Sequence, residues 1–185
     1  MIHPKYYWDS IKTKHNYQAD EIISGLQKSI RRGNEENAIN CGYEMMISGK
    51  ELTEKFWERI RVISVEDIGL ANPQLITIIF TLYQNFVYLK NKEDRFLQGI
   101  IAILLLTRSK KSRYVDELYN DLKINDTKGN FKIKIPDYVL DFHTKKGREK
   151  GRNILHFWKE AAKIKKDIHK NNKKHYLNIL KKYNT

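Results

Sequence analysis

The stretch from Arg61 to Pro73 most limits how this chain can fold, because a helical pattern lies on each side of it. The apolar residues that precede it recur at the spacing of one helix face: Phe56, Trp57, Ile60 and Ile63. Residues 75–89 follow it and are almost wholly apolar. A junction with apolar helices on both sides has to lie inside a helical core.

The junction also carries the residues that end one helix and begin another. Gly69 can adopt the positive φ that closes a helix. Asn72 and Pro73 follow in the order of an N-cap and a first-turn proline. We therefore expect a tight corner, with Gly69 in a structural role.

Two adjacent carboxylates, Glu66 and Asp67, lie at this expected buried corner. Buried charges in proteins are nearly always paired, so we expect them to accept backbone N–H groups or to pair with Arg59 or Arg61. A catalytic carboxylate pair is the alternative. Neighbouring residues on a helix point about 100° apart, which does not favour a shared proton. We assign Glu66 and Asp67 structural roles.

Apolar periodicity predicts an all-α fold of six helices, over about 19–32, 34–49, 53–65, 73–90, 94–107 and 112–123. The fifth is very apolar and is expected to be central. The sixth should turn four side chains inward: Val115, Leu118, Tyr119 and Leu122. Five short links between six helices are typical of stacked helix pairs.

The rest of the chain differs in character. Residues 1–16 read as an aromatic, irregular arm before a helical domain over 17–124. Residues 125–152 read as an extended strap followed by a basic segment with two glycines. A long basic helix is expected over about 153–182, within a final region of 153–185, and its amphipathic pattern also suits a partner helix or a membrane surface.

Positive charge is concentrated at the C-terminal end. The region from His143 to Thr185 holds 14 Lys or Arg and 3 Asp or Glu, whereas the whole chain has a net charge of +13. The body is therefore nearly neutral, and its asymmetry with the tail favours an acidic partner such as nucleic acid. A lysine-rich, solvated helix is the alternative interpretation.

Two basic segments are candidates for nucleic-acid contact. One is the run from Thr144 to Arg152, where glycine lets the backbone approach a phosphate and cations neutralise it. The other is the turn after the fifth helix. The candidate contact residues are Lys145, Lys146, Arg148, Lys150, Arg152, Lys110 and Lys111. The alternative for the first run is a turn that joins two helices and docks His143 on the core.

Several segments resemble the C-terminal region of the MgsA/RarA replication-associated recombination ATPases, a family that includes the Werner-helicase-interacting ATPase. These are Leu26–Arg31, Arg61–Gln74 and the Thr107–Ser112 turn. The run around His143–Arg152 is similar to one in relatives without an ATPase module. The resemblance implies a clamp-loader-collar-like domain that self-associates, with four copies in the family. It also implies work at stalled replication forks, with DNA and a separate ATPase or replication protein as candidate partners.

Catalytic patterns are missing from the sequence. The glycines and lysine of residues 42–51 lack phosphate-loop spacing, so the family's ATP-binding module is not expected here. With one cysteine, Cys41, and no paired histidines, we expect no metal and no cofactor. An enzyme that uses Glu66, Asp67, Asp141 or His143 is the least favoured hypothesis.

These observations predict a cytoplasmic, non-enzymatic protein that self-associates and contacts DNA. Cytoplasmic location follows from the lone cysteine and from an N-terminus without an apolar leader. No membrane partner is expected, since the apolar run at residues 100–106 is too short to span a bilayer. The alternative is a purely structural oligomerisation or protein-interaction module that binds no nucleic acid.

Overall fold

The computed structural model describes residues 4–168 and 173–183, and these form helices, short helical turns and one isolated bridge between Lys12 and Gln18. The all-α prediction is confirmed. The chain divides into an N-terminal unit, Met1–Asn130, and a C-terminal unit, Phe131–Thr185. The sequence-based boundary between helical domain and strap was placed after residue 124.

Six main helices build the N-terminal unit, and they agree with the six predicted segments to within a few residues. They are α1 (Ala19–Arg32), α2 (Glu35–Ile47), α3 (Lys50–Ile63), α4 (Gln74–Tyr88), α5 (Lys92–Arg108) and α6 (Tyr114–Thr127). A π-helical turn, Ser64–Ile68, and a 3-10 turn, Gly69–Ala71, connect α3 to α4. Another 3-10 turn, Pro4–Ser10, precedes α1.

Local sequence explains where these helices begin and end. Gly33 ends α1 with φ of 74°, and the Asn34 side chain then caps α2 by accepting a hydrogen bond from the Asn37 N–H at 3.1 Å. The Asn91 side chain caps α5 in the same way, accepting from Glu93 N–H at 2.8 Å. These caps satisfy N–H groups that the helix itself leaves without partners.

Helix α5 is central, as its apolar sequence predicts, and it packs against α1, α2, α3 and α4. The fully buried side chains of the core come from all five of these helices: Leu26, Ile30, Met45, Phe56, Trp57, Ile60, Ile63, Ile79, Ile103 and Leu106. Cys41 is buried among them as a small apolar residue. Burial of this much apolar surface is the main favourable term in folding.

Helix α4 is less enclosed than its continuous apolar sequence implies. Leu75, Ile79 and Phe86 are buried, but one side of the helix is open. The exposed apolar residues of α4 are Ile76, Ile78, Phe80, Val87 and Tyr88. The expectation that both flanks of the Arg61–Pro73 junction lie inside the core therefore holds for α3 and for only one face of α4.

Helix α6 is also more exposed than predicted. None of its residues is buried, and Leu118, Tyr119 and Leu122, all expected to face inward, are exposed. The prediction was wrong because an amphipathic pattern reveals an apolar face without revealing what covers it. Within the N-terminal unit, α6 packs on the π-helical and 3-10 turns that follow α3.

The arm before α1 is held by side chains of α2. The imidazole Nδ1 of His15 lies 2.6 Å from Oε2 of Glu44, and the His15 backbone N–H donates to Oε1 at 2.8 Å. Burial raises the pKa of Glu44, but hydrogen bonds from Thr13 and His15 outweigh it, so the net pKa is lowered. Trp8 packs against the core.

The C-terminal unit contains shorter helices than predicted. A 3-10 turn, Asp137–Val139, is followed by α7 (Lys145–Glu149), α8 (Ile154–His156), a π-helical turn at Phe157–Ala161, and α9 (Lys174–Tyr183). The strap was expected to begin at residue 125, but residues 125–127 belong to α6. Residues 131–136 form neither helix nor strand, and Ile133 is 71% exposed.

The long helix predicted over 153–182 is interrupted. Residues 162–168 are not helical, and Lys166 has a positive φ of 59°. Residues 169–172, which the prediction also included, lie outside the described residues. Lys159, Lys163 and Lys166 follow one another at spacings of four and three, and like charges at such spacings disfavour a helix. Among the described helices, none is long and apolar enough to cross a membrane.

Candidate functional site

Asp67 is the centre of the corner between α3 and α4, and we call Glu66 and Asp67 the carboxylate corner. Asp67 is fully buried. Its Oδ1 accepts from Arg31 Nε at 2.6 Å and from Arg113 Nη1 at 2.9 Å, and its Oδ2 accepts from Gln27 Nε2 at 3.0 Å. One side chain therefore joins α1, the π-helical turn and the residue that precedes α6.

The backbone at the corner reinforces this arrangement. The Ser112 N–H donates to the Asp67 carbonyl at 2.9 Å. Gly69 has φ of 44° and ψ of −122°, in the range that favours glycine, and a Cβ at this position would lie 3.6 Å from Val115 Cγ2. The turn can therefore reverse direction while α6 approaches it.

Glu66 extends the ion-pair network toward solvent. Its Oε1 accepts from Arg31 Nη2 at 3.2 Å and from Arg113 Nη1 at 3.1 Å. Arg59, an expected partner, lies 3.9 Å from Glu66 Oε2. The other expected partner, Arg61, instead donates from Nε to the Trp57 carbonyl at 3.2 Å.

The charges explain why Asp67 stays ionised. Burial alone raises the pKa of its carboxyl, but hydrogen bonds from its three side-chain partners lower the pKa by more, so the net shift is downward. Its contribution to stability is therefore present at neutral pH and is lost as the pH falls through the lowered pKa. This geometry suits a structural ion-pair centre.

The chief partners of Asp67 were missed by reasoning from the sequence, although a signal for them existed. Gln27 and Arg31 lie four residues apart on α1, inside the Leu26–Arg31 segment that carries the family resemblance. Residues four apart on a helix share a face. Two segments that resemble the same family are thus in direct contact with each other.

Lys111 has its ammonium group directed at the end of α5. Its Nζ donates to the carbonyls of Leu106, Thr107 and Ser109, at 2.8, 2.8 and 2.7 Å. Burial lowers the pKa of this amine, and the charge of Asp67 opposes that shift. Three carbonyl contacts use its three donors, whereas Lys110 beside it is exposed. Nucleic-acid contact by Lys110 or Lys111 stays a prediction.

The C-terminal unit holds the other candidate residues on a single turn, which we call the basic segment (residues 144–152). Thr144 caps α7, its Oγ1 accepting from Gly147 N–H at 3.0 Å and donating to the Asp141 carbonyl at 3.0 Å. A Cβ at Gly147 would lie 1.7 Å from that same carbonyl oxygen. Only glycine fits there without a change of backbone.

Three of the five cations in the basic segment bind residues that precede it: Arg148, Lys150 and Arg152. Arg148 Nη1 donates to the Phe142 and His143 carbonyls at 3.0 and 3.1 Å. Arg152 Nη1 donates to the Asp137 and Leu140 carbonyls at 2.7 and 2.6 Å.

The carboxylate of Asp137 forms ion pairs with two of these cations, Lys150 and Arg152. Lys150 Nζ lies 3.0 Å from Asp137 Oδ1, and Arg152 Nη2 pairs with the other carboxylate oxygen. These hydrogen bonds, first from Lys150 and then from Arg152, lower the pKa of Asp137. The Lys145 side chain is 85% exposed and its Nζ lies 3.9 Å from Oε1 of Glu149, which is also exposed, and Lys146 is exposed beside it. Arg148 and Lys150 are exposed as well, so Lys145 and Lys146 differ in that their charged groups do not bind the residues that precede the segment.

Asp141 and His143 form a hydrogen-bonded pair. Asp141 Oδ1 accepts from the His143 N–H at 2.9 Å, and Asp141 Oδ2 lies 3.0 Å from His143 Nδ1. The imidazole packs on Phe142 and Phe157, with ring centroids 3.9 and 5.3 Å away. Across the described part of the chain, no three His, Cys, Asp or Glu residues are grouped to hold a metal ion.

The fold and the corner define the class: an all-α protein whose helical bundle is tied together by a buried, multiply paired aspartate. The family described as MgsA AAA+ ATPase C terminal matches residues 34–181. The chain belongs to this family, and the resemblance inferred from its segments is confirmed.

The chain is also similar to part of a bacterial protein. The Replication-associated recombination protein A of Bacillus subtilis (strain 168) is 31% identical over 140 residues. The match covers 72% of this chain and 31% of that protein. The chain therefore spans about a third of the length of this relative, over a region similar to the C-terminal part of the ATPase family.

Proposed function

We propose that this chain acts as a non-enzymatic helical module that self-associates and contacts DNA, in the setting of replication-associated recombination. The open apolar faces of α4 and α5 carry the proposal. The name of the B. subtilis relative, Replication-associated recombination protein A, supports this setting. A separate ATPase or replication protein is a further proposed partner, in the cytoplasm.

Self-association is supported by how the apolar residues of α4 are distributed. Ile76, Phe80 and Val87 recur along the helix and expose 41%, 54% and 57% of their surface. The neighbouring α5 exposes Leu97 and Ile101. Large exposed apolar patches on a protein surface mark interaction sites. A second copy of the same chain could cover it through a self-complementary interface.

We expect Phe80→Arg to shift the protein toward its smallest species in sedimentation velocity across a dilution series, since a charge would be buried at the contact. Tyr17→Arg is the matched control, because Tyr17 is also exposed but lies in the arm before α1. It should leave the distribution of species unchanged. A wild-type protein that stays monomeric at its highest soluble concentration would contradict self-association.

DNA contact is supported by the exposed cations of the C-terminal unit. Lys145 and Lys146 project from the basic segment, and the surrounding region has a strong excess of positive charge. Lysine ammonium groups neutralise phosphates and release bound counterions, so their contribution depends on salt. Arg148 and Arg152 are less suited to this role because their guanidinium groups bind backbone carbonyls.

For the double variant Lys145→Gln/Lys146→Gln we expect weaker binding to duplex DNA and a salt-dependence slope smaller by about 2, the value for two lost phosphate contacts. Fluorescence anisotropy at several salt concentrations measures both quantities. Lys123→Gln/Lys128→Gln removes the same charge from exposed positions in and after α6 and serves as the control. Equal slopes for the two double variants would contradict contact at the basic segment.

The alternative function, an oligomerisation or protein-interaction module without nucleic-acid binding, is favoured by one observation. Arg148, Lys150 and Arg152 form internal hydrogen bonds or ion pairs. A multimer that shows no affinity for duplex or single-stranded DNA at low salt would support this alternative.

A further inference from the structure

A cavity of about 610 Å³ lies at one end of the helical bundle of the N-terminal unit. It is placed where α2 and α4 end and where α3 and α5 begin. Its size falls within the range of roughly 300–1,000 Å³ typical of small-molecule sites. The carboxylate corner and the basic segment contribute no residue to its lining.

Aromatic side chains form one wall of the cavity. Trp57, Tyr83, Phe86 and Phe96 all line it. The Trp57 ring lies with its centroid 5.6 Å from that of Tyr83 and 5.2 Å from that of Phe86. A wall of this composition suits a planar, aromatic ligand, because stacked and edge-to-face rings attract one another.

Cations outnumber acidic residues in the lining of the cavity. Lys50, Lys92 and Arg95 line the cavity, and Glu54 is the acidic residue among its lining. Glu54 lies 3.8 Å from Lys50, while Arg95 stacks on Phe86 at 4.2 Å from the ring centroid. Lys92 is exposed, and its Nζ lies 5.4 Å from the centroid of the Phe96 ring, with no ion-pair partner among the described residues. The lining therefore has an excess of positive charge and favours an anionic ligand.

The lining contains an uncapped helix N-terminus and one buried side-chain donor without an acceptor. Helix α3 begins after Gly49, which has no side chain to accept from its first N–H groups. Open helix N-termini of this kind favour anions. The Trp57 side chain is 1% exposed, and its indole Nε1–H has no hydrogen-bond partner. A buried donor without an acceptor costs free energy, which a bound acceptor atom would recover.

We propose that this cavity binds a nucleotide. The base packs against the aromatic wall that contains Trp57, and the phosphate lies toward the start of α3, near Lys50 and Lys92. The nucleotide can come from two sources, which share this chemistry: a free mononucleotide, or the unpaired nucleotide of a single strand. The site does not depend on the basic segment, so it goes beyond the function proposed above.

Isothermal titration calorimetry with the full chain tests this site, with dAMP and deoxyadenosine as probes. We expect dAMP to bind and deoxyadenosine to bind about tenfold more weakly, because it lacks the charge that the cations and the α3 N-terminus attract. Absence of dAMP binding, or equal affinity for both probes, would overturn the proposal. Binding of duplex DNA without binding of dAMP would reject the cavity and leave the proposed function standing.

Two variants locate the binding. Lys92→Gln should weaken dAMP binding about threefold through loss of one exposed charge. Trp57→Phe should weaken it about fivefold by removing the indole N–H while it keeps an aromatic ring. Lys28→Gln, an exposed charge on α1 away from the cavity, is the control. Because Trp57 is buried and its variant could misfold, an unchanged affinity in Lys92→Gln is sufficient to overturn the assigned site.

Competition separates the two sources. A short single-stranded oligonucleotide that displaces dAMP, when a blunt duplex of equal length does not, identifies the unpaired nucleotide of a strand as the ligand. Displacement by neither DNA identifies the free nucleotide. Either result supports nucleotide binding in the cavity. Displacement of dAMP by the blunt duplex to the same extent as by the single strand would overturn it, since paired bases cannot enter.

Discussion

Asp67→Asn is expected to lower the free energy of unfolding by about 3 kcal/mol, the loss typical when one partner of a buried ion pair is removed. The Asp67 side chain is fully buried and accepts hydrogen bonds from Arg31, Gln27 and Arg113. Asparagine keeps the shape but loses the charge and one acceptor oxygen. Two guanidinium groups would then face each other with less compensation. Urea unfolding followed by circular dichroism measures the change.

A graded pair of controls tests whether burial is the cause. Glu66→Gln should cost about 1 kcal/mol, because Glu66 shares two of the same arginines but is 24% exposed. Glu58→Gln should cost less than about 1 kcal/mol, since its pair with Lys55 lies at the surface. An Asp67→Asn effect as small as that of Glu58→Gln would show that the carboxylate corner does not hold the bundle together.

Gly147→Ala is expected to open the basic segment. A Cβ at this position would lie 1.7 Å from the Asp141 carbonyl oxygen, which no side-chain rotation can relieve because that atom belongs to the backbone. The hydrogen bonds from Thr144 to Asp141 and from Gly147 to Thr144 would be lost. Each hydrogen bond contributes about 1 kcal/mol to the free energy of local opening, and the clash lowers that free energy further. Because trypsin cleaves the open form, cleavage in this segment should accelerate about 100-fold.

Gly151→Ala provides the matched control for this variant. Gly151 has φ of 71° but no atom within 4 Å of an added Cβ, so alanine there meets backbone strain without a clash. The expected acceleration of cleavage is about tenfold, from a strain of about 1–2 kcal/mol. If both variants were cleaved at the same rate, close contact at Gly147 would not be what stabilises the segment.

The sequence was sufficient to predict most of the N-terminal unit. Apolar periodicity located α1 to α6, and Gly69, which was expected to adopt a positive φ after α3, does so. These signals are local, since each depends on residues within a few turns of one another. The carboxylates at the corner stood out for the same reason, as charges inside an apolar pattern.

Contacts between distant segments could not be predicted in this way. The expected partners Arg59 and Arg61 were chosen because they are close to Glu66 in sequence, whereas Arg31 and Arg113 lie 36 and 46 residues from Asp67. Likewise, the basic segment was interpreted as a set of five available cations. Lys150 and Arg152 pair with Asp137 because the chain folds back between residues 137 and 152. The number of charged residues in a segment does not predict such a fold.

The exposure of α6 and the break after Ala161 have a different explanation. A periodic pattern shows that Leu118 and Tyr119 share a face, but their burial depends on what covers that face. In the C-terminal unit, apolar periodicity competes with repulsion between lysines, and it does not sustain a helix through Lys165 and Lys166.

The partners of Asp67 also set a limit on how this protein can be shortened. Its three side-chain partners lie between Gln27 and Arg113 in the sequence. Any fragment that begins after α1 or ends before α6 therefore removes at least one partner of the buried Asp67 carboxylate. A cut at the boundary after Asn130 keeps all of these groups on one polypeptide. Deletion studies that trim from either end should therefore stop outside residues 27–113.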